Sequence, residues 1–385
     1  MPEGLPAGSC NGSPARDLII STIAEKGPIP FTSFMEAALY SPEGGYYTSG
    51  REAWGPEGDY ITSLDVSPVF GRTLAKQVAE CWEVLGSPSS FELIEAGAGR
   101  GSLSCTILDH ARDICPGLYE AMTVRLVERA GGPVGFVNDK VFWHRELDEL
   151  EPVEAALVLS NELIDSFPVH RVCFSEGALK ELFVDFDGES FFEKEGPLSD
   201  GALESYFERA GITPFEGMKT EVNLDAGRWM KRASALFSKG FAVTIDYGTA
   251  ARELYSIGRG SSLHCHFRHK LNDNPFVNVG EQDITTHVDF TTLALSGIEA
   301  GLAVTGFTTQ KNFLLGLGVL DELKTPASLG ADGVEDVNFN RALGQLISPG
   351  GMGDIFKVLI NHKGVEKPRL KGFSFKDMAR SLCLP

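Results

Sequence analysis

The chain has 385 residues, of which 43% are hydrophobic, and its 53 acidic and 34 basic side chains give a formal net charge of −19. The hydrophobic content provides for a large core, and the acidic balance argues against a dedicated nucleic-acid binder, which usually presents a basic face. The seven cysteines form no CxxC pair, so we expect neither a disulfide framework nor a zinc site, and we predict a reducing, cytoplasmic location.

Helix and loop are predicted before the first strand. Apolar residues at helical spacing, with glycine and proline as stop signals, predict helices over residues 15–27, 31–40 and 67–85. From residue 91 the pattern changes to short apolar runs separated by helical stretches, which favours a parallel, doubly wound sheet. The predicted strands are FELIEAG (91–97), MTVRLVE (122–128), VFWH (141–144), AALVLSNE (155–162) and GFAVTIDYG (240–248).

A long insertion separates the fourth and fifth predicted strands. Residues 171–196 alternate in polarity and contain Asp187-Gly188, which predicts a hairpin, and residues 202–238 are predicted to be helical. The later predictions are a loop over a site at 256–280, helices at 288–300 and 313–324, and a final strand at 352–361.

Three glycines at alternate positions, Gly97, Gly99 and Gly101, follow the first strand and precede a helix. Glycine allows unusual backbone angles and the close approach of a ligand. The sixth position of a dinucleotide-binding GxGxxG motif would be Ser102, so that motif fits poorly. The pattern is ExGxGxG from Glu95. It favours S-adenosylmethionine, whose cationic methionine end an acid can serve, and the alternative is a tight structural turn.

A second acid is expected where the second strand ends, because it would accept hydrogen bonds from the ribose hydroxyls. Glu128 closes MTVRLVE and is the predicted ribose acid, with an unremarkable surface acid as the alternative. Cys105 lies on the following helix and is predicted to be a small core residue rather than a nucleophile.

Polar residues follow the fourth strand in the stretch SNELIDSFPV. Asn161, Glu162 and Asp165 stand there, at the carboxyl end of a strand, where reactive groups gather in open α/β sheets. Paired acids suit a guanidinium, which they can orient through two hydrogen bonds and deprotonate. Capping of the next helix is the alternative for these residues.

Asp246 and Tyr247 end the fifth strand and are predicted to face the same crevice and to contact the substrate; a turn cap is the alternative for Asp246. His264 and His266 would share one side of a strand, but no nearby carboxylate or cysteine completes a convincing ligand set. We therefore predict no metal site.

Several segments, in this order and spacing, together resemble one family. They are GYYTSG (45–50), GDYITSLDVSPVFG (58–71), ELIEAGAGRGSL (92–103), SNELIDSFPVHRV (160–172), TIDYG (244–248), GRGSSLHCHFRH (258–269), VGEQDITTHVDF (279–290) and MGDIFKVL (352–359). The chain is similar, over about residues 15–362, to the MidA-type methyltransferases, relatives of the mitochondrial complex I assembly-factor methyltransferase. This resemblance implies a class I S-adenosylmethionine-dependent fold with a helical N-terminal region.

The resemblance also assigns roles to residues. It places Gly97, Gly99 and Gly101 on the cofactor loop and Glu128 as the ribose acid. It places Thr62 and Ser63 beside the cofactor. It places Asn161, Glu162 and Asp165 on an NE-x-x-D signature, and Asp283 and His287 on a DITxHVDF signature. Where the family usually has Pro-Glu, this chain has Leu64-Asp65, a departure that bears on the acceptor more than on the cofactor.

The sequence thus predicts an α/β protein with a doubly wound, Rossmann-like methyltransferase sheet and an inserted hairpin and helical subdomain. The predicted units are residues 1–90, 91–170, 171–238, 239–362 and 363–385, in order an N-terminal region, the first part of the sheet domain, the insertion, the second part and a tail. The predicted cofactor is S-adenosyl-L-methionine, and its predicted contacts are Glu95, the glycines, Glu128, Thr62, Ser63 and Asn161.

As the resemblance implies, the predicted reaction is methylation of an arginine side chain in a partner protein. Glu162 is the predicted orienting acid, with Asn161, Asp165 and Asp283 as helpers and Asp246, Tyr247 and His287 in contact with the substrate. We predict no membrane span and no nucleic-acid partner, and the insertion could form a homodimer surface. The alternatives are a small-molecule or other side-chain acceptor, and a binding protein that has lost catalysis.

Overall fold

The computed structural model describes residues 12–49, 68–132, 138–268, 270–324 and 331–385. Its helices are α1 Pro14–Lys26, α2 Phe31–Tyr40, α3 Val69–Val84, α4 Ser102–Ile114, α5 Pro116–Ala121, α6 Ala202–Arg209, α7 Leu224–Ala235, α8 Ala251–Leu254, α9 Phe290–Glu299, α10 Gln310–Gly316, α11 Ala331–Leu346 and α12 Met352–Ile355. Short 3₁₀ turns span Leu147–Glu149, Ile164–Ser166, Val319–Glu322, Lys371–Phe373 and Ala379–Leu382.

The strands are β1 Ile29–Pro30, β2 Phe91–Ala96, β3 Met122–Val127, β4 Val141–His144, β5 Val153–Asn161, β6 His170–Ser175, β7 Ala178–Phe186, β8 Phe191–Gly196, β9 Lys219–Val222, β10 Phe237–Thr249, β11 Leu263–Phe267, β12 Lys270–Asn272, β13 Asp283–Thr286, β14 Val288–Asp289, β15 Ala303–Thr309 and β16 Phe356–Lys363.

The central sheet runs in the order β15-β16-β10-β5-β2-β3-β4, and β14 pairs with the end of β10. Strands β4, β3, β2, β5 and β10 are parallel, whereas β16 is antiparallel to both β10 and β15. Buried side chains of α3 and α4 cover one face of the sheet, and those of α7 and α9 cover the other. The predicted doubly wound fold is therefore confirmed. Its five parallel strands end at one edge, and the polar residues of the sequence motifs follow four of them there, β2, β3, β5 and β10.

A second sheet joins the N-terminal residues to the insertion. Its order is β1-β7-β6-β9, with β8 also paired to β7, and all of these pairs are antiparallel. Phe31 and Phe34 of α2 are fully buried in one core with Val184 of β7 and Phe191 of β8. The N-terminal helices and the insertion therefore share a hydrophobic core, although they are far apart in the sequence.

Inside the insertion, the predicted hairpin is confirmed because Asp187-Gly188 lies between β7 and β8. The helical structure predicted over 202–238 is confirmed at α6 and α7 but is wrong where β9 lies between them. That segment contains α6, β9 and α7 in succession. Gly211, Pro214 and Gly217 interrupt the helix after α6, since glycine and proline both disfavour a helix interior. The chain then returns as β9 to pair with β6, a long-range pairing that local helical spacing could not reveal.

Residues 256–280, predicted as a loop, instead contain β11 and β12, which form a small sheet in the order β12-β11-β13. Leu263, Cys265 and Ile284 of this sheet are buried in the core that α2 shares with the insertion. Strand β13 also packs against the turn Ile164–Ser166. The first residue of β13, Asp283, is therefore brought towards the end of β5.

The remaining differences lie near the C-terminus. The helix predicted at 313–324 lies at Gln310–Gly316, with a 3₁₀ turn after it, and the strand predicted from residue 352 begins at Phe356 after a short helix. The sequence did not predict α11 or β15. In β15, the segment AVTGFTT carries a central glycine and no clear alternation of polarity. Within the described ranges, no helix is long and apolar enough to cross a membrane, and six cysteines are free.

The shared core predicts a large effect of one phenylalanine. Phe34 is 0% exposed, and its ring lies 5.6 Å from that of Phe191 and 5.3 Å from that of Phe276. We expect Phe34→Ala to lower the free energy of unfolding by about 3–5 kcal/mol in urea titrations, because it leaves a cavity in a close-packed core. The matched control is Phe192→Ala, since Phe192 is 39% exposed. Equal losses in the two variants would contradict the shared core.

Candidate functional site

The glycine loop connects β2 to α4 at the carboxyl edge of the sheet. Gly97, Gly99 and Gly101 have φ angles of +70°, +54° and +73°, in the left-handed region that favours glycine. A Cβ on Gly97 would lie 2.8 Å from Leu163 Cδ1, and a Cβ on Gly101 would lie 2.6 Å from Leu126 Cδ1. Both conformation and space therefore require glycine at these two positions.

Glu128, which follows β3, lies against this loop. Its Oε2 accepts the backbone N–H of Gly99 at 2.9 Å, and its Oε1 accepts that of Ala130 at 3.3 Å. A carboxylate can accept about four hydrogen bonds, so this half-buried group keeps capacity for ligand hydroxyls. Glu128 therefore lies beside the bare backbone of the loop, and its role as the ribose acid stays a prediction.

Glu95 lies on the inner side of the same loop. It is 3% exposed, and its Oε2 accepts the backbone N–H of Ser104 in the first turn of α4 at 3.1 Å. Burial raises the pKa of Glu95 to about 7, against the opposing effect of the hydrogen bonds from Ser104. The described contact of Glu95 is thus with the helix N-terminus, and its predicted contact with the cofactor stays a prediction.

Asn161 and Glu162 form a strained corner at the end of β5. Glu162 has φ +54°, which is uncommon for a residue with a side chain and is often found at functional sites. Its backbone N–H donates to the Ile245 carbonyl at 2.9 Å, and its Oε1 accepts from Asn161 Nδ2 at 3.1 Å. The buried Oδ1 of Asn161 has no hydrogen-bond partner among the described residues, so it is an acceptor that a ligand could satisfy.

Asp246, predicted to contact the substrate, has a different set of described contacts. It is 0% exposed, and its Oδ2 accepts the backbone N–H groups of Ile164 and Asp165 at 2.9 and 3.3 Å. Burial, with the nearby charges of Asp165 and Glu162, raises its pKa well above the ordinary value. Asp246 therefore holds the turn that follows Glu162, and its role in binding the substrate stays a prediction.

Asp165 lies in that turn and is 3% exposed. Burial raises its pKa to about 6, although the neighbouring Tyr247 hydroxyl opposes the shift. Its Oδ1 has no hydrogen-bond partner in the part of the chain that the structure describes. A carboxylate with a pKa near neutrality and an unsatisfied oxygen is suited to accepting a proton or a hydrogen bond from a ligand.

Tyr247 and His287 lie side by side at the end of β10, with their ring centroids 6.2 Å apart. Burial raises the pKa of Tyr247 well above its ordinary value, so its hydroxyl keeps its proton. Burial and the nearby Arg259 lower the pKa of His287 to about 4, so its imidazole is neutral at pH 7. Its Nδ1 lies 3.2 Å from Arg259 Nη2 and accepts a hydrogen bond from it.

Asp283 begins β13 and is 1% exposed. Its Oδ1 accepts a hydrogen bond from the Tyr47 hydroxyl at 2.8 Å. Asp283, Asp165 and Asp246 all raise the pKa of Tyr247 through their charges, which indicates that the three carboxylates surround one region. The structure thus brings together the predicted residues that follow β5 and β10 with those of the DITxHVDF segment.

Thr62 and Ser63, predicted to border the cofactor, lie outside the described residues. His264 Nδ1 lies 3.2 Å from Asp273, and the described residues contain no group of three or more His, Cys, Asp or Glu that could hold a metal ion.

A cleft of about 590 Å³ opens beside the turn that follows Glu162. Its lining residues are Leu18, Thr32, Ser33, Glu36, Ala37, Tyr40, Ser41, Pro42, Arg129, Pro168 and Asp225. Arg129 directly follows Glu128, and Pro168 lies two residues after the turn Ile164–Ser166, so the cleft borders both parts of the site. Burial raises the pKa of Glu36, with Arg129 opposing and Asp225 adding to the shift.

Two tyrosines near the site, Tyr40 and Tyr47, were not predicted from the sequence. Tyr40 and Tyr47 contact the acceptor-side turn and Asp283, but neither was singled out individually. The signal that could have found Tyr47 is the segment GYYTSG, which the sequence analysis noted without giving it a role. Leu163 was missed as well, although its packing excludes any side chain at Gly97.

The buried carboxyl of Glu95 predicts a pH-dependent difference in stability. Because folding raises the pKa of Glu95, the folded protein binds this proton more tightly than the unfolded chain does. The resulting contribution to the free energy of unfolding is fully present below about pH 4.5 and is lost as pH rises to about 7. Glu95→Gln keeps an acceptor for Ser104 and removes the titration. We expect its stability relative to the wild type to rise by about 2 kcal/mol between pH 5.5 and 8 in urea unfolding. The matched control is Glu92→Gln, because Glu92 lies on the same strand and is paired with Arg125. If the difference in the free energy of unfolding between Glu95→Gln and the wild type did not change with pH, Glu95 would ionise normally.

Comparison with known proteins identifies relatives of the whole arrangement. A model of a family described as S-adenosyl-L-methionine-dependent methyltransferase matches residues 73–132 and 135–308. The chain is 30% identical over 324 residues to the mitochondrial protein arginine methyltransferase NDUFAF7 homolog of Drosophila melanogaster, which covers 74% of this chain and 70% of the relative. It is 27% identical over 392 residues to the mitochondrial protein arginine methyltransferase NDUFAF7 of Homo sapiens, covering 93% and 85% of the two chains.

A solved structure resembles the chain over nearly its full length. It is a crystal structure of a protein from Burkholderia thailandensis bound to S-adenosyl-homocysteine, 29% identical, with a TM-score of 0.84, and the match covers 98% of this chain and 100% of that chain. The likeness therefore includes the N-terminal helices and the insertion as well as the central sheet.

Proposed function

The chain belongs to this family of S-adenosyl-L-methionine-dependent methyltransferases, and we propose that its methyl acceptor is an arginine side chain of a partner protein. The observation that carries the proposal is the set of carboxylates that the fold gathers beyond β5 and β10, where a guanidinium would find several acceptors. The Drosophila and human relatives are themselves named protein arginine methyltransferases, which supports the same acceptor class.

The residues around the glycine loop fit the cofactor. The left-handed glycines keep side chains away from the space next to the loop, and Glu128 retains acceptor capacity beside the Gly99 N–H. When bound, S-adenosylmethionine would supply the methyl group of its sulfonium to an in-line nitrogen nucleophile, and S-adenosylhomocysteine would be the leaving group. The unsatisfied Oδ1 of Asn161, the last residue of β5, is a further acceptor for a hydrogen bond from the cofactor or the substrate.

The acceptor side would act by orientation and by removal of a proton. Glu162 is proposed to bind two N–H groups of the guanidinium and to direct the remaining nitrogen at the methyl carbon. As the N–C bond forms and the S–C bond breaks, the nitrogen must lose one proton. Asp165 is the proposed acceptor of that proton, since burial raises its pKa to about 6 and one of its oxygens is unsatisfied.

The two ring side chains next to these carboxylates carry no positive charge at pH 7. His287 is neutral at pH 7 because burial and Arg259 lower its pKa to about 4, and Tyr247 remains protonated. A cationic guanidinium therefore meets ionisable carboxylates and neutral donors. We further propose that the cleft beside Pro168, which also carries Glu36 and Asp225, holds the chain around the methylated arginine. The cytoplasmic location and the homodimer stay predictions.

The proposal predicts that Glu162 acts on transfer and not on cofactor binding. We expect Glu162→Gln to lower the rate of methyl transfer by about 100-fold or more, because the loss of its charge removes the orienting acid, while affinity for S-adenosylhomocysteine changes by less than about threefold. The assay follows label from methyl-labelled S-adenosylmethionine into protein extracts, and mass spectrometry locates the methylated residue.

A close control exists in Glu176, another non-glycine residue with positive φ, at +55°, which is exposed in the insertion. Glu176→Gln should leave transfer and affinity unchanged. Label on a side chain other than arginine, or normal transfer by Glu162→Gln, would overturn the proposed acceptor or the proposed role.

Glu128 is expected to act on cofactor binding instead. Glu128→Ala removes the carboxylate that accepts the Gly99 N–H and is available to ribose hydroxyls. Because a hydrogen bond to a charged group contributes about 1.5–3 kcal/mol, we expect affinity for S-adenosylhomocysteine to fall by roughly 10- to 100-fold in calorimetric titrations. The matched control is Glu149→Ala, since Glu149 lies in the 3₁₀ turn after β4 and is exposed. Unchanged affinity in Glu128→Ala would remove Glu128 from the cofactor site.

A further inference from the structure

Tyr40, the last residue of α2, holds the turn that carries Asp165. Its hydroxyl lies 3.0 Å from both the carbonyl oxygen and Oγ of Ser166. Burial raises the pKa of Tyr40 well above its ordinary value, so the hydroxyl remains a donor. Ser166 Oγ donates in turn to the Leu163 carbonyl at 2.9 Å. A single hydroxyl from the N-terminal layer thus braces the turn Ile164–Ser166.

Tyr47, in the segment GYYTSG, holds a second carboxylate. Its hydroxyl donates to Asp283 Oδ1 at 2.8 Å. The rings of Tyr40 and Tyr47 are stacked, with centroids 5.4 Å apart and an interplanar angle of 25°. The two tyrosines therefore form one unit that contacts the turn on one side and β13 on the other, and both ends of this unit are hydrogen bonds to acceptor-side groups.

The same unit also contacts the cofactor side. Arg129 directly follows Glu128, and its guanidinium carbon lies 4.8 Å from the centroid of the Tyr40 ring. Glu128 accepts the N–H of Gly99 in the glycine loop. Contacts consequently continue from the glycine loop through Glu128, Arg129 and Tyr40 to Ser166. Such a continuous set of packed groups can transmit a change at one end to the other.

We propose that Tyr40 and Tyr47 are positioning residues that relay occupancy of the cofactor site to the acceptor turn and to Asp283. The proposal rests on the proposed function, because it takes that turn as part of the acceptor pocket. A cofactor bound to Glu128 fixes Glu128 and Arg129 against the Tyr40 ring. Tyr40 then holds Ser166, and Tyr47 holds Asp283, so the acceptor carboxylates are ordered before the acceptor arrives.

The relay can be measured by amide hydrogen exchange without knowing the acceptor. The backbone N–H groups of Ile164 and Asp165 donate to buried Asp246, so their exchange reports opening of the turn. We would compare peptides covering residues 161–168 and 281–287 in the full chain, with and without saturating S-adenosylhomocysteine. The variants Tyr40→Phe and Tyr47→Phe keep each ring and remove only its hydroxyl.

Tyr119→Phe is the matched control. The Tyr119 hydroxyl also accepts a hydrogen bond from Arg112 at 3.1 Å, and the guanidinium carbon of the same arginine lies 4.7 Å from the centroid of its ring. Tyr119 lies in α5, before the amino end of β3, and thus away from the carboxyl edge that carries the site. Calorimetry gives the affinity of each variant for S-adenosylhomocysteine, and thermal unfolding shows whether each variant is folded. A purely structural role would change exchange without ligand but not the difference that the ligand makes.

In the wild type and in Tyr119→Phe, S-adenosylhomocysteine should slow exchange of both peptides by about tenfold or more. In Tyr40→Phe the slowing at 161–168 should fall below about threefold, and in Tyr47→Phe the slowing at 281–287 should do so, with affinities within about threefold of the wild type. Equal slowing in all four proteins, or a wild type that binds the ligand without any slowing, overturns the relay. Neither result touches the acceptor, because the identity of the methylated residue decides the proposed function separately.

Discussion

The acceptor side of the site depends on one buried carboxylate, Asp246. It sits at the end of a strand that is paired on both sides, and it accepts the backbone N–H groups of Ile164 and Asp165. Without it, those two donors would lie in the interior with no partner, at a cost of about 1–3 kcal/mol each. Asp246 thereby fixes the turn after Glu162, and burial together with the charge of Asp165 in that turn raises the pKa of Asp246. The contacts that hold the turn and the raised pKa values at this end of the site thus involve the same two carboxylates, Asp246 and Asp165.

At the glycine loop, the two glutamates Glu95 and Glu128 accept hydrogen bonds from different backbone N–H groups. Glu95 is buried and satisfies an N–H group at the start of α4, whereas Glu128 is half-buried and meets the loop from the outer side. The first carboxylate stabilises the helix that follows the glycines, since the exposed N–H groups of a helix N-terminus attract negative charge. The second is the one that remains open to a ligand. Two glutamates that are chemically alike thus differ in burial and in their hydrogen-bond partners.

The N-terminal helices and the insertion complete the site as one layer. Their common core places Tyr40 and Tyr47 over the carboxyl edge of the central sheet, and the small sheet of β11, β12 and β13 adds Asp283 from the other direction. A minimal doubly wound domain would leave that edge open to solvent. The additional layer excludes water from the carboxylates, which is the reason that the pKa values of Asp165 and Asp246 are raised.

The sequence by itself determined the five parallel strands of the central sheet, the first two helices and the glycine loop with its cofactor class. Apolar periodicity and glycine spacing are local signals, and parallel strands necessarily bring their carboxyl ends to one edge. Only the tertiary structure decided which carboxylates are buried, which of them bind backbone, and how Tyr47 reaches Asp283 across 236 positions. Strand β9 also stayed hidden, because its pairing partner β6 is remote in the sequence. Burial and hydrogen bonding at the site arise from contacts between distant segments, and no local pattern of residues specifies them.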